Sequence, residues 1–424
     1  MNTAERNLIT ARLLGKIYGG AYSSIELNRE LRGIADERDR GYVSRLFYGV
    51  LDKSVQLDYI ISKLTKKRPK PIVCVVLRMG IYMLRYMDEP SYAVVNTQTE
   101  LIKTLGKREL SGFVNAVLRA SESVKLPIRD KNKALELSVN LSAPEWIAKK
   151  LIEEYGYDFA AAFLAAELTD KTHVRINERE INKEAFCALA PSIEQSPCGC
   201  FVPYAELRKI NPGLYVVQSL ASALAVECYT EGLSRGAKIL DLCAAPGGKA
   251  VYVATLIGAD VTACDIHPHR VELIKSYAKS AGVKINAIQN DATVFKPSFE
   301  SAFDCVICDV PCSGVGVIKN KPDVMLNRKE EDLRSLAELQ YKIISTAARY
   351  VKPSGTLCYS TCTVFKEENE DVANRFLSEN PDFENLSAGC EKAQAGTDGY
   401  VRLYPQTHGC DGFFVAKFRR KSND

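Results

Sequence analysis

Apolar positions along the chain repeat with two different periods. Up to residue 125 only the helical spacing occurs. Residues three and four apart mark helices over Ala11–Tyr18, Val43–Leu51, Ile72–Tyr86, Tyr92–Leu105 and Phe113–Leu118. Pro71 and Pro90 stand where helices start, and Gly106 where one ends. Residues 126–142 are mixed and polar around Pro127 and read as a linker, after which 144–168 resume as helix. From 173 to 217 short alternating runs, His173–Asn177 and Tyr215–Gln218, flank a helical stretch and predict a small α+β module. A helix over Gln218–Tyr229 leads out of it.

From 238 onward the pattern alternates between short apolar runs and amphipathic stretches. Ile239–Leu242 reads as a buried strand. Ala244, Ala245, Pro246, Gly247 and Gly248 break it, and a helical pattern resumes at Lys249. Strand, glycine-bearing turn and helix form the first unit of a nucleotide-binding α/β sheet. Further strands are predicted at Ala259–Asp265, Ile285–Asn290, Phe303–Asp309, Thr356–Ser360 and Phe413–Phe418. Helices are predicted at Pro268–Ala281, Glu331–Tyr350 and Glu367–Leu377. The alternation implies a doubly wound parallel sheet with room for one antiparallel edge. The expected division is an all-helical domain over 1–130, a connecting α+β module over 131–232 and an α/β domain over 233–424.

Charge sharpens this division. The chain carries a net +4 over its 424 residues. Residues 1–130 hold 22 Lys+Arg against 14 Asp+Glu, a net of +8, and the remainder a net of −4. A basic head on a mildly acidic body suits a polyanionic partner. Lys63, Lys66, Lys67, Arg68 and Lys70 put five cations into eight residues around Pro69, the composition of a phosphate-facing loop. No apolar run approaches membrane-spanning length and the start lacks an export signal, which predicts a cytoplasmic protein with no membrane partner. Fourteen cysteines scattered along such a chain read as thiols rather than disulfides. Cys198-Gly-Cys200 and Cys305-Val-Ile-Cys308 have half the spacing of a zinc site, but with four histidines in all and no partner cluster nearby, no metal is expected.

The candidate chemistry collects at strand ends, where ligands of such sheets lie. The first strand ends at Asp241 and Cys243, the second at Asp265, the third at Asp291, the fourth at Asp309 and the fifth at Cys362. A carboxylate about 20 residues past the glycine turn can hold ribose hydroxyls, which places Asp265. An acid-lined pocket without three-glycine spacing disfavours a pyrophosphate and an NAD-dependent oxidoreductase. It favours S-adenosylmethionine, a ribose ligand with positive charge and no phosphate. Cys312, in Asp309-Val-Pro-Cys-Ser-Gly, and Cys362, in Ser360-Thr-Cys-Thr, lie in polar turns at this edge. There a thiol is expected to be partly exposed and more acidic than usual. A pyrimidine is inert at C5 until a nucleophile adds at C6, a task for a thiolate.

Together, Asp-Leu-Cys-Ala-Ala-Pro-Gly-Gly-Lys, Asp-Val-Pro-Cys-Ser-Gly and Ser-Thr-Cys resemble the RNA cytosine-C5 methyltransferases. With the basic head, which resembles the antitermination-factor-like (NusB-like) RNA-binding domain, the likeness is to the methyltransferase B branch that acts on 16S, small-subunit, ribosomal RNA. The resemblance implies a Rossmann-like S-adenosylmethionine-dependent catalytic domain working as a monomer on free or partly assembled RNA. It implies that Cys243, Ala244, Ala245, Pro246, Gly247, Gly248 and Lys249 wrap the methionine part of the cofactor. Asp265 would hold the ribose, Asp291 would sit at the adenine amino group, and Asp309 would lie near the methionine part and the base. It makes Cys362 the nucleophile at C6 and Cys312 an aid to product release, with Lys249 orienting substrate or Asp309. The chain departs from the family at Ser219, usually Asp; Ala250, usually Thr; and Thr363, commonly Ser. A transfer-RNA cytosine is the alternative target, and an assembly factor with an inactive methyltransferase fold the non-enzymatic one.

Overall fold

The computed structural model of the chain describes residues 1–21 and 23–422. Two compact units result, one of Met1–Ala165 with Ile318–Glu330, the other of Ala166–Val317 with Glu331–Asp424. The boundary after Ala165 falls inside the stretch expected as a connecting module.

The first unit is helical. Its centre is the helix Pro71–Tyr86, opened by proline at its first turn and buried at every position from Val73 to Met83. A helix apolar on all sides needs partners all round, and Thr3–Ile17, Glu37–Asp52, Ser54–Leu64, Ser91–Thr104 and Ser111–Ala120 supply them. Within this core Arg78 stays charged because Asp58 takes two 2.7 Å hydrogen bonds from its guanidinium, which also lies 4.0 Å over the Tyr18 ring. Part of the expected linker is helix, Lys133–Leu141, because Asn132 caps it through the N–H groups of Ala134 and Leu135. Residues 318–330, far away in sequence, dock here: Asp323 accepts the Ser23 hydroxyl at 2.7 Å and its N–H at 3.3 Å.

The second unit carries two sheets. The smaller, ordered β2-β3-β1-β4, comprises β1 (Thr172–Ile176), β2 (Glu194–Ser196), β3 (Gly199–Val202) and β4 (Tyr215–Val217). The larger has β5 (Lys238–Asp241), β6 (Asp260–Asp265), β7 (Asn286–Gln289), β8 (Phe303–Asp309), β9 (Val351–Thr361), β10 (Phe383–Leu386), β11 (Val401–Leu403) and β12 (Phe413–Arg420). Its order is β10-β12-β9-β8-β5-β6-β7, with β11 beside β12. Strands β5 to β9 run parallel, as the alternating pattern predicts, and β12, β10 and β11 add an antiparallel flank rather than one edge strand. The chain lays β6 and β7 on one side of β5, then crosses to lay β8 and β9 on the other. The crossing opens a crevice beyond the carboxyl ends of β5 and β8.

Candidate active site

The turn after β5 is held by its own backbone. Ala244 N–H donates to Cys264 O and Gly247 N–H to Ala244 O, both at 2.8 Å. Gly247 has φ of +111°, and a Cβ there would come 3.2 Å from Ile274 Cα, so only glycine fits without strain. The helix Gly248–Ile257 then starts without a side-chain cap, leaving its first N–H groups for a ligand.

A cavity of about 310 Å³ lies against this turn. Cys243, Ala245, Asp265, Asp291, Asp309, Cys312 and Cys362 all line it. Asp265 is buried; its Oδ1 accepts the His267 N–H at 3.0 Å and Arg270 lies 3.3 Å from Oδ2. Asp291 follows β7 by two residues, and the Thr293 hydroxyl and N–H lower its carboxyl below the ordinary range. Asn290 also lines the cavity, and its buried Nδ2 makes no hydrogen bond within the protein. Carboxylates for hydroxyl and amino groups, an unused amide donor and open helix N–H groups fit a zwitterionic nucleoside ligand. Asp241 sits one layer below. Burial, reinforced by the Asp309 charge and opposed by Lys249, pushes its carboxyl up to about 7.

The registry of β8 against β9 assembles the reactive edge. Asp309 pairs with Ser360, so the loops beyond them leave the sheet side by side. The sulfurs of Cys312 and Cys362 stand 3.2 Å apart. Lys249 Nζ lies 2.7 Å from Asp309 Oδ2, and the Ser360 hydroxyl donates to Oδ1 at 3.0 Å. Burial lowers the lysine's proton affinity, but the Asp309 carboxylate more than offsets this, so Lys249 stays an ammonium. Cys312 departs from expectation: it is 7% exposed, and the hydrogen bond to Cys362 together with burial raises its thiol well above the ordinary range. Cys362 is half-buried at the cavity wall.

The departures at 219 and 250 have local explanations. Ser219 Oγ accepts the Ser222 N–H at 3.3 Å and caps the helix Leu220–Thr230, a task Asp also performs. Gln218, outside that helix, accepts from Arg175 Nε at 2.5 Å. Ala250 is fully buried in the helix after the turn, where a small side chain packs. Two cysteines of the half-zinc motifs pair elsewhere: Cys305 meets Cys358 at 3.8 Å and Cys200 meets Cys187 at 3.2 Å. No described cysteine is in a disulfide.

The five cations of residues 63–70 are exposed, and Lys66, Lys67 and Arg68 line, with Asp58, a separate cavity of about 430 Å³. Lys63 lies over the Tyr59 ring at 4.9 Å and Arg68 is 3.5 Å from Asp58. Among the described residues no helix is long and apolar enough to cross a membrane. Sequence reasoning missed the buried pair Glu368 and Gln340 behind the two cysteine loops. Its signal, Glu367-Glu368-Asn369, reads as an ordinary helix start.

A doubly wound sheet with an acid-lined crevice and a glycine turn defines the Rossmann-like class of nucleoside-cofactor enzymes. Residues 232–419 match the family 16S rRNA methyltransferase RsmB/F, and residues 8–123 match the NusB family. The chain is 32% identical to the probable ribosomal RNA small subunit methyltransferase B of Bacillus subtilis, over 99% of each. It is 29% identical to ribosomal RNA small subunit methyltransferase B of Photorhabdus laumondii, over 99% of this chain and 100% of that one. The crystal structure of PH0851 superposes with a TM-score of 0.82 at 23% identity, covering 98% of this chain and 99% of that one. That of NSun6 from Pyrococcus horikoshii with SFG gives 0.56 at 19%, covering 66% and 99%. The chain belongs to the RsmB/F methyltransferase family. It is an RNA methyltransferase with a NusB-like domain and uses S-adenosylmethionine.

Proposed function

We propose that the protein methylates C5 of one cytosine in 16S ribosomal RNA, in the cytoplasm, through a covalent bond between Cys362 and C6. The carrying observation is the pair of sulfurs 3.2 Å apart on the wall of a cavity that also holds Asp309 and the carboxylates. The names of its full-length relatives support ribosomal RNA as the substrate class.

S-adenosylmethionine, held by the 243–249 turn, Asp265 and Asp291, supplies the methyl group. Cys362 attacks C6 of the unstacked cytosine, and the C5–C6 electron pair makes C5 a nucleophile. Asp309, oriented by Lys249 and Ser360, accepts a hydrogen bond from the protonated N3 and drains the charge that builds in the ring. After C5 is methylated, water takes its proton, the C–H electron pair restores the C5–C6 double bond, and the S–C6 pair leaves on Cys362 as the thiolate. Cys312, kept a thiol by its hydrogen bond to Cys362 and by burial, supports that elimination.

The test is to map 5-methylcytosine in total RNA from cells with and without the protein, then to assay Cys362→Ala. One ribosomal cytosine should lose its mark, and the variant should bind cofactor normally yet transfer nothing. A variant with full activity refutes the covalent route, and a mark lost only from transfer RNA refutes the substrate.

A further inference from the structure

The two cysteine loops are joined by more than their sulfurs. Behind them lies Glu368, fully buried. Its Oε1 accepts the Ser313 N–H at 2.8 Å and the Gln340 amide at 3.0 Å. The same amide donates to Pro311 O at 3.0 Å, so both residues flanking Cys312 are gripped. On the other side the Ser313 hydroxyl donates to Thr363 Oγ1 at 2.9 Å, and Asn369 Nδ2 donates to Thr363 O at 3.2 Å, which grips the residue after Cys362. Tyr359, also fully buried, closes the ring by donating to Glu368 O at 2.5 Å, with Gln340 Oε1 3.2 Å from the same hydroxyl.

Burying a carboxylate with no cation beside it is costly, and an apolar filler would pack the space at less cost. Glu368 Oε2 makes no full hydrogen bond, and burial raises the carboxyl against the opposing pull of the Ser313 hydroxyl and N–H, the Gln340 amide and the Thr363 hydroxyl. Oε1 does the gripping, tying the loop of Cys312 and the helix of Gln340 to the segment that follows Cys362.

We propose that Glu368 is a positioning residue: through Ser313 and Gln340 it fixes the separation of the Cys312 and Cys362 sulfurs. It touches neither cavity nor substrate and acts only by holding the loops. The functional weight of that separation rests on the covalent reading above; the separation itself does not.

The test therefore has two arms on the full-length protein. In the first, copper phenanthroline oxidises Cys312 and Cys362 to a disulfide, the two thiols giving up two protons and two electrons to the copper–oxygen couple. Peptide mass spectrometry follows the rate. Cys187 and Cys200, also 3.2 Å apart, are the internal control. Glu368→Ala is expected to slow the 312–362 bond at least about tenfold and leave 187–200 unchanged, since a disulfide needs sulfurs within about 2.05 Å. Glu368→Gln keeps an oxygen that can accept both bonds and should cross-link like the parent. If Glu368→Ala does not fold, Gln340→Ala removes the Pro311 and Glu368 bonds and is expected to slow the same cross-link.

In the second arm Glu368→Ala should lose about 10–100-fold in kcat with KM for RNA little changed, and Glu368→Gln should restore it. Cross-linking at the parent rate in both truncations overturns the proposal. So does a Glu368→Gln enzyme that cross-links normally but has lost activity, because the carboxylate would then act chemically. Full activity in Cys362→Ala would overturn the covalent reading and leave the cross-linking result standing.

Discussion

Asp241 is 1% exposed, and neither carboxylate oxygen makes a full hydrogen bond in the protein. Its carboxyl is raised from 3.8 to about 7. Below pH 4 the residue is protonated whether the chain is folded or not and contributes nothing to the pH dependence. Between pH 4 and 7 the unfolded chain gives up the proton and the folded one keeps it. Stability therefore falls as pH rises through that window and levels off above it. Three units correspond to at most about 4 kcal/mol. Asp241→Asn is expected to flatten this fall, so thermal unfolding from pH 5 to pH 8 should show parent and variant curves diverging. Parallel curves would mean the residue stays ionised throughout. Cys312 belongs to the same scale. If it serves product release, Cys312→Ala should accumulate a denaturation-resistant protein–RNA adduct, absent from the parent on a denaturing gel. An adduct-free variant with normal turnover would remove that role.

At the scale of elements the site depends on how closely two loops approach. Gly316 N–H donates to Cys362 O at 3.0 Å, and Gly412 N–H donates to Gly316 O at 2.8 Å. A Cβ on Gly316 would stand 2.2 Å from Gly412 O and 2.7 Å from Cys362 O, both backbone atoms that cannot turn aside. Gly316→Ala must push the Cys362 loop away from the loop of Cys312. Because displacements near 1 Å at a reacting group cost on the order of 100-fold, kcat should fall by roughly that factor. Cofactor affinity, set on the far side of the cavity by the 243–249 turn and Asp265, should change by less than about threefold. Equal losses in both, read by calorimetry and turnover, would point to global damage instead. The sequence showed the last strand, Phe413–Phe418. It did not show that Gly412 is spent on packing against a loop almost a hundred residues away.

For the whole molecule, charge is partitioned by unit. Lys66, Lys67 and Arg68 are exposed at the rim of a cavity in the helical unit, which Asp58 also lines. Neutralising all three should weaken RNA binding and reduce the slope of log affinity against log salt by about 2, as expected for lost contacts to a flexible strand. A slope unchanged from the parent, measured by filter binding across a salt series, would leave these residues as solvated surface.

Period and composition alone determined much of this chain. Helical spacing before residue 125 and strand–helix alternation after 238 are local consequences of which faces must be buried, and the doubly wound sheet follows from them. The glycine turn and the strand-end acids were legible for the same reason: backbone chemistry restricts what a tight turn and a strand end can hold. Helices such as Lys133–Leu141 and the short strands β10 and β11 were not, because they are stabilised by caps and partners rather than by periodicity. Three matters were decided only in three dimensions. The parallel pairing of β8 with β9 brings together two sulfurs fifty residues apart. The hydrogen bond to Cys362, together with burial, makes Cys312 a poorer acid where a polar turn suggested a better one. The Glu368 clasp exists because long-range packing shut a carboxylate away from water, and a sequence read locally carries no record of which of its charges will be enclosed.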